Sequence, residues 1–234
     1  MTSSGSEAKF YRVKYTIFLQ SDAHIGAGIQ LLGGNLQGLR RDADGFPFVP
    51  DTEIRGLLRL AGTHIRDSKA VGVDLFSNTF GERTAEAGKK HGKWSFSAAR
   101  YDQDTRDAFP LTGASSLYKG PFERQGILGR QTHVAIDTRR LFGYQKMGGR
   151  DEESRQLEGL IFSHTTATEK EVAFLLACMR MDDRIGHRRS RGYGKVTWNV
   201  ESVHRANDAG EWESVSHDHA YWVNRLLENG EGNE

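Results

Sequence analysis

An alternation of apolar and polar residues near the start of the chain constrains the fold most. Over residues 10–20, FYRVKYTIFLQ, every second side chain is apolar: Tyr11, Val13, Tyr15, Ile17 and Leu19. A period of two residues is typical of a β-strand with one face buried and the other exposed. The chain has 234 residues, enough for a real hydrophobic core. It is therefore expected to contain a sheet with at least one covered face.

Two later segments have the period of a helix instead. The first follows a proline, with Asp51 or Thr52 as its expected N-cap. The second begins after Thr168, which is expected to form a capping box with Glu171, and is expected to stop at Gly186. The apolar faces are Ile54, Leu57, Leu58 and Ile65 in the first helix, and Phe174, Leu175, Cys178 and Met179 in the second.

Further strands are predicted over residues 93–101, 133–138, 157–166 and 191–203, the last being the final strand expected in the chain. Residues 75–92 look like a connection that ends in a polar loop. Residues 139–159 are polar and contain glycine, which indicates a protruding hairpin. The order strand, helix, strands, excursion, strand, helix, strand is compatible with an α+β fold around a β-α-β-β-α-β ferredoxin-like core.

Positive charge is concentrated in one glycine-rich stretch, RIGHRRSRGYGKV (184–196), although the formal net charge of the chain is only +1. Glycine lets backbone approach a partner closely and exposes N–H groups to phosphate oxygens, and arginine binds phosphate with two parallel hydrogen bonds. The combination indicates binding to an anionic polymer. A solvated basic turn between a helix and a strand is the simpler alternative.

Two smaller features could contribute to the same site. Arg55 and Arg59 lie near the start of the first helix, where phosphates are favoured, but they also fit an ordinary amphipathic helix. His24 follows the first strand within SDAHIGAG and could contact phosphate or ribose, or could be a structural histidine.

Several other classes of protein are disfavoured. Cys178 is the only cysteine, so an internal disulfide and a cysteine-based zinc site are excluded, and a reducing intracellular location is expected. The pair in HDH (217–219) has no evident third ligand, and RSRGYGK precedes a strand rather than a helix, unlike a P-loop. No apolar run is long enough to cross a bilayer, and the first ten residues do not resemble a secretory signal.

Three motifs occur in an order that resembles the RAMP superfamily, the repeat-associated proteins of CRISPR effector complexes. They are FPFVPDTEIRGLLR (46–59), HVAIDTRRLFG (133–143) with the downstream LEGLIF (157–162), and IGHRRSRGYGKV (185–196). HIGAG (24–28) resembles the first glycine-rich element of the family, and Arg55 occupies the position of the family lysine. The resemblance extends from about residue 10 to 203 and is greatest to the repeated backbone subunits of type III systems.

The resemblance implies a single RRM-like domain over residues 10–205, after a disordered lead-in (1–9) and before a C-terminal extension (206–234). Residues 139–159 would form the thumb hairpin of the family. The partners would be a CRISPR guide RNA, a complementary target RNA, copies of the same chain and other effector subunits, in the cytoplasm of a prokaryote, with no membrane. The expected RNA-binding residues are His24, Arg55, Arg59, Arg139, Arg140, Arg188, Arg189, Ser190, Arg191, Gly192, Tyr193 and Lys195.

Catalysis is where the sequence departs from the family. Many type III backbone subunits cut target RNA with an aspartate in the first loop, and the matching stretch here, GGNLQGLRRDADGFPFVP (33–50), has Leu36 at that position. Leucine cannot bind a metal or activate a ribose hydroxyl. The resemblance therefore predicts a subunit that binds RNA without cleaving it and needs no cofactor. Asp42 and Asp22 remain weak catalytic candidates.

Three alternatives remain open from the sequence. The same scaffold could be a magnesium-dependent ribonuclease that uses Asp42 or Asp22. The chain could be a stand-alone guide-processing endoribonuclease of the related RAMP branch, with His24 acting without metal. It could also be an unrelated RRM-like RNA-binding module, although that would not explain FPFVPDTEIRG.

Overall fold

The computed structural model describes residues 8–21, 23, 25–30, 37–40, 42–44, 46–84, 88–108, 128–133, 137–142, 156–186, 192–215 and 218–227. In this part of the chain the strands are β1 Tyr11–Leu19, β2 Gly26–Gln30, β3 Gln37–Leu39, β4 Gly81–Thr84, β5 Gly88–His91, β6 Trp94–Phe96, β7 Leu128–His133, β8 Asp137–Phe142, β9 Gln156–Ser163, β10 Val196–Ala206 and β11 Trp212–Ser214. The helices are α1 Asp51–Asp67, α2 Val73–Phe80, α3 Gln103–Ala108, α4 Glu169–Met181 and α5 His219–Leu227.

An antiparallel sheet in the order β11-β10-β1-β9-β6 forms the centre of the molecule. Without β11, the order is fourth, first, third and second strand of a β-α-β-β-α-β unit whose helices are α1 and α4. The predicted ferredoxin-like, RRM-like core is therefore confirmed. The smaller pairs β2-β3, β4-β5 and β7-β8 lie in the segments inserted between these elements.

The alternation in β1 divides the sheet into two unlike faces. Tyr11, Val13, Tyr15, Ile17 and Leu19 are each at most 1% exposed and belong to the hydrophobic core. The buried faces of α1 and α4 belong to the same core. A Cβ atom built on Gly62 of α1 would lie 2.8 Å from Phe80 and 3.1 Å from Phe174 of α4. The absence of a side chain there allows the two helices to approach closely.

The helix boundaries are partly as predicted. Thr168 and Glu171 form the expected capping box at the start of α4. The predicted N-cap of α1 is wrong, because Pro50 occupies that position and α1 begins at Asp51 without a side-chain cap. The predicted stop of the second helix is also misplaced. The helix ends at Met181, because Asp182 is already extended, and Gly186 adopts a positive φ in the following loop.

Other parts of the chain contain more regular structure than the sequence indicates. The connection predicted over residues 75–92 holds most of α2 and the hairpin β4-β5. The strand predicted over residues 133–138 is misplaced, since its ends belong to β7 and β8, and residues 134–136 lie outside the described residues. Of the thumb candidate, residues 139–142 belong to β8, and residues 143–155 lie outside the described residues.

The C-terminal extension adds one strand and one helix to the core. β11 pairs with β10, beyond the strand predicted to be the last. α5 is attached through Glu169, the first residue of α4, whose carboxylate accepts hydrogen bonds from the Tyr221 hydroxyl at 2.6 Å and from Arg225 Nε at 3.0 Å. Burial, with the nearby Glu169 carboxylate, raises the pKa of Tyr221 to about 12, so its hydroxyl stays protonated as a donor.

Candidate nucleic-acid interface

The C-terminal end of the basic, glycine-rich loop is bound to the end of β1. The Ser21 hydroxyl donates to the carbonyl of Gly192 at 3.2 Å and accepts the N–H of Lys195 at 2.8 Å. The N–H of Gln20 donates to the carbonyl of Lys195 at 2.8 Å. A single serine side chain therefore holds both ends of the Gly192–Lys195 turn beside the first loop of the chain.

The two ends of the loop also pair with each other. The N–H of Ile185 donates to the carbonyl of Gly194, and the N–H of Val196 donates to the carbonyl of Asp183, both at 2.8 Å. These bonds bring the start and the end of the glycine-rich segment together. The residues between them, 187–191, lie outside the described residues.

The first turn of α1 contacts the other side of the same loop. Glu53 Oε1 accepts the N–H of Gly186 at 3.1 Å. Three segments that are far apart in sequence therefore meet at one end of the sheet. They are the segment that begins at Ser21, the PDTEIRG motif and the RIGHRRSRGYGKV motif. Neither Ser21 nor Glu53 was identified from the sequence, although each lies in or directly beside a motif that was.

Two glycines shape the turn in different ways. Gly194 has φ +73°, and a Cβ atom there would lie 1.9 Å from the carbonyl oxygen of Ile185. Gly192 has φ +86°, but the space around its Cα is open. Gly194 is therefore required for the fold of the loop, whereas Gly192 is exposed. Between them Tyr193 is half-buried, and Lys195 after them is exposed.

Arg55 and Arg59 bind the C-terminal end of α2. Arg55 Nη2 donates to the carbonyl of Phe80 at 2.7 Å, and Arg59 Nη1 donates to the carbonyls of Phe80 and Gly81 at 3.0 and 2.8 Å. Cations are favoured at this end of a helix because its last carbonyls carry partial negative charge. These bonds leave other N–H donors on each guanidinium, since arginine has five. Their role as RNA ligands stays a prediction.

Asp42 is enclosed in an ionic cluster. Its side chain is 2% exposed, and its Oδ2 forms ion pairs with Arg106 and, at 3.3 Å, with Arg100. Its Oδ1 accepts the N–H groups of Asp44 and Phe46 at 3.1 and 2.9 Å. Both oxygens are thus occupied by protein donors, and the carboxylate organises the chain that leads into α1. This arrangement disfavours Asp42 as a metal ligand or a general base.

The other predicted site residues divide into two groups. Arg139 and Arg140 lie in β8, opposite Gln131 and Arg130 of β7. The rest lie outside the described residues: Asp22, His24, Leu36, Arg188, Arg189, Ser190 and Arg191. Their roles remain predictions.

Two observations on the described residues concern metal and thiol chemistry. Among them, no three His, Cys, Asp or Glu side chains are grouped so that they could hold a metal ion. Cys178 is buried, and burial raises the pKa of its thiol, so a reactive thiolate is disfavoured. No helix in the described ranges is long and apolar enough to cross a membrane.

Comparison with known proteins agrees with this architecture. The family model of the RAMP superfamily matches residues 16–197, more than half of the chain, and the chain therefore belongs to the RAMP superfamily. A chain in the cryo-EM structure of type III-B Cmr-beta in its apo state has a TM-score of 0.53 at 10% identity, covering 81% of this chain and 97% of that one. A chain of a type IV-B CRISPR complex has a TM-score of 0.55 at 16% identity, covering 93% and 100%. At these identities the two structures show a shared fold, and no curated protein matches the sequence.

Replacing Gly194 with alanine is expected to destabilise the protein more than replacing Gly192. Both substitutions place a Cβ atom at positive φ, which costs about 1 kcal/mol. Only Gly194→Ala also forces the Ile185 carbonyl to move, because the new atom would lie 1.9 Å from it. Urea unfolding of the two variants measures the difference, and equal midpoints would contradict this account of the loop.

Replacing Asp42 with asparagine is expected to lower the free energy of unfolding by about 2 kcal/mol, because it removes the charge that pairs with the largely buried Arg106. Asp44→Asn is the matched control, since Asp44 also pairs with Arg106 but is 70% exposed. That control should cost about 0.5 kcal/mol or less. If thermal or urea unfolding gave the same loss for both variants, the structural role assigned to Asp42 would be wrong.

Proposed function

We propose that this protein is an RNA-binding subunit of a CRISPR effector complex, of the kind repeated along the guide RNA in type III systems. Membership of the RAMP superfamily supports this role. So does the fold shared with chains from type III-B and type IV-B CRISPR structures. The partners would be a guide RNA, a complementary target RNA, copies of the same chain and other effector subunits, in the cytoplasm of a prokaryote.

One observation carries the proposal: the basic, glycine-rich loop is held at the meeting point of three motifs. Ser21 binds its C-terminal end, and Glu53 binds its N-terminal end. A loop fixed at both ends can present exposed backbone and arginines to a phosphate chain at little additional cost in conformational entropy. A solvated turn would not need this anchoring.

In the proposed complex, the guide backbone runs along the loop. Arg188, Arg189 and Arg191 hold phosphates, while Gly192 lets the backbone approach. Tyr193 and Lys195 would contact the same strand, together with Ser190 and His24 as the sequence predicts, and Arg55 and Arg59 would add contacts from the first helix. Arg139 and Arg140 would contact the duplex from the thumb. Sequence would be read by base pairing, and the protein would read backbone and shape.

The proposed subunit binds target RNA without cutting it. Leu36 stands where related subunits carry the catalytic aspartate. The geometry of Asp42 supports the same conclusion, because its carboxylate is buried and occupied by two arginines and two backbone N–H groups. No cofactor is required for binding alone, whereas the magnesium-dependent alternative would depend on Asp22.

Replacing Arg188, Arg189 and Arg191 together with glutamine is expected to weaken RNA binding and reduce the RNA that co-purifies with the protein. Each phosphate contact on a single strand contributes about 0.7 to the slope of log K against log salt, so the slope should become less negative by about 2. Binding isotherms of the full chain with a labelled single-stranded RNA at several salt concentrations measure the change.

A matched variant removes the same number of charges elsewhere: Arg66→Gln, Lys69→Gln and Lys170→Gln. Arg66 lies about 20 Å along α1 from Glu53, and Lys170 lies in the first turn of α4, whereas the loop follows its last turn. This control should retain RNA binding. A clean, RNA-free monomer, or equal losses in both variants, would refute the proposed cradle.

Incubating the assembled complex with complementary target RNA and Mg²⁺ is expected to leave the RNA intact, because Leu36 stands where related subunits carry the catalytic aspartate and the Asp42 carboxylate is occupied by protein donors. Regularly spaced cuts would contradict the binding-only proposal. If cuts appeared, their loss in Asp22→Asn would assign the activity to this chain. Cleavage of a repeat RNA by the isolated chain without metal would instead favour a guide-processing enzyme.

A further inference from the structure

The face of the sheet opposite the two helices carries an aromatic patch that the proposed guide cradle does not use. Residues of β1 with even numbers point to this face, because those with odd numbers fill the core. Arg12 of β1 lies opposite Phe162 of β9 and His204 of β10. Phe10 lies two residues before Arg12, in the next row across the strands. Its carbonyl accepts the N–H of Ala206 in β10, and Ala206 pairs with Trp212 of β11.

These aromatic side chains are unusually exposed. Phe10, Phe162 and Trp212 are 43%, 40% and 42% exposed, and the other phenylalanine and tryptophan side chains that the structure describes are buried or half-buried. They line a shallow cavity of about 410 Å³ together with Arg12, Leu160 and Ala206. Exposed apolar surface concentrated in one place marks a binding site more often than scattered apolar residues do.

The charges around the patch favour an anionic partner. Lys14 pairs with Glu158 at 3.1 Å, and Lys9 pairs with Asp208 at 2.9 Å, so each of these carboxylates is neutralised locally. Within the described residues no carboxylate pairs with Arg12, whose guanidinium lies over the Trp212 ring, 4.7 Å from its centroid. The uncompensated charge at the centre of the patch is therefore positive and lies beside aromatic rings.

We propose that this patch, formed by Phe10, Arg12, Phe162 and Trp212, stacks unpaired bases of single-stranded RNA. Aromatic side chains on the open face of an RRM-like sheet can stack two or three bases, with a nearby cation contacting the phosphates. The patch lies beside one end of the sheet, at Phe10 and Ala206, whereas the glycine-rich loop lies at the other end, where Leu19 of β1 pairs with Val196 of β10. The patch is a second RNA contact, distinct from the loop. This proposal rests on the proposed RNA-binding function.

The loop and the patch lie at opposite ends of β1. β1 has nine residues, so its two ends are about 27 Å apart at 3.3–3.4 Å per residue. An RNA strand held by the loop would need several nucleotides to reach the patch. The patch therefore fits unpaired nucleotides that leave the cradle, rather than the phosphates bound within it.

The decisive variant is Phe162→Leu, which retains an apolar side chain but removes the aromatic face. In fluorescence anisotropy with the full chain and a labelled single-stranded RNA of mixed sequence, it should bind about tenfold more weakly. Trp212→Leu should show a similar loss. Phe162→Tyr should retain affinity because it keeps a ring, and Leu60→Ala, which alters an exposed apolar residue on α1, should have no effect.

An abasic RNA of the same length separates stacking from charge. It carries the same phosphates, so Phe162→Leu should bind it as well as the unaltered protein does. An equal loss on both RNAs would overturn the stacking assignment, as would an unchanged affinity of Phe162→Leu for the base-containing RNA. Unaltered RNA affinity combined with loss of assembly in size-exclusion chromatography would identify the patch as a protein interface and overturn the proposal.

The variant lacking Arg188, Arg189 and Arg191, measured in parallel, separates this inference from the proposed function. If that variant lost affinity and Phe162→Leu did not, the cradle would stand and the patch would fail. If the unaltered chain and complex bound no RNA, the proposed function itself would fail, and the patch proposal with it. Circular dichroism melting of each variant checks that the exposed substitutions leave the core folded.

Discussion

The antiparallel pairing of β1 with β10 is the constraint on which the candidate site depends. Its register sets Leu19 opposite Val196, so the residues that follow β1 lie beside those that precede β10. Ser21 can then bind both Gly192 and Lys195 with one hydroxyl. A slip of one residue would exchange the buried and exposed faces of β1 and separate the serine from the loop. The hydrophobic core that fixes the register therefore also fixes the loop.

Several charged residues near the site stabilise the fold, a use that their sequence context does not reveal. Arg55 and Arg59 occupy a helix-opening motif, yet they bind the last carbonyls of α2, a helix absent from the sequence prediction. Asp42 lies in the loop where catalysis was considered, yet Arg100 and Arg106 enclose it. Charge near a motif therefore does not by itself distinguish a ligand-binding residue from one that stabilises the fold.

The two faces of the sheet have different physical requirements. One face is covered by α1 and α4, and the β1 side chains on it are apolar and at most 1% exposed. The other combines ion pairs such as Lys14–Glu158 with exposed aromatic rings. Ion pairs are stable in contact with water, whereas exposed aromatic rings are stabilised by a ligand that covers them. The aromatic rings are therefore the feature of this face that indicates a ligand. In the proposed complex, the loop at the end of the sheet and the patch on its open face would give one domain two places to contact an RNA strand.

The sequence by itself determined the periodic elements and the family. β1, α1, β9, α4 and β10 were all predicted, because alternation, helical spacing and the capping box at Thr168 are local properties. The motifs also predicted the glycine-rich loop as a binding site, and that role stays a prediction. Only the tertiary structure decided which residues hold that loop, which carboxylate is enclosed, and that Phe10, Phe162 and Trp212 share one face. Those relations join residues up to about 200 positions apart, and the pairing register that creates them is set by the collective packing of the core.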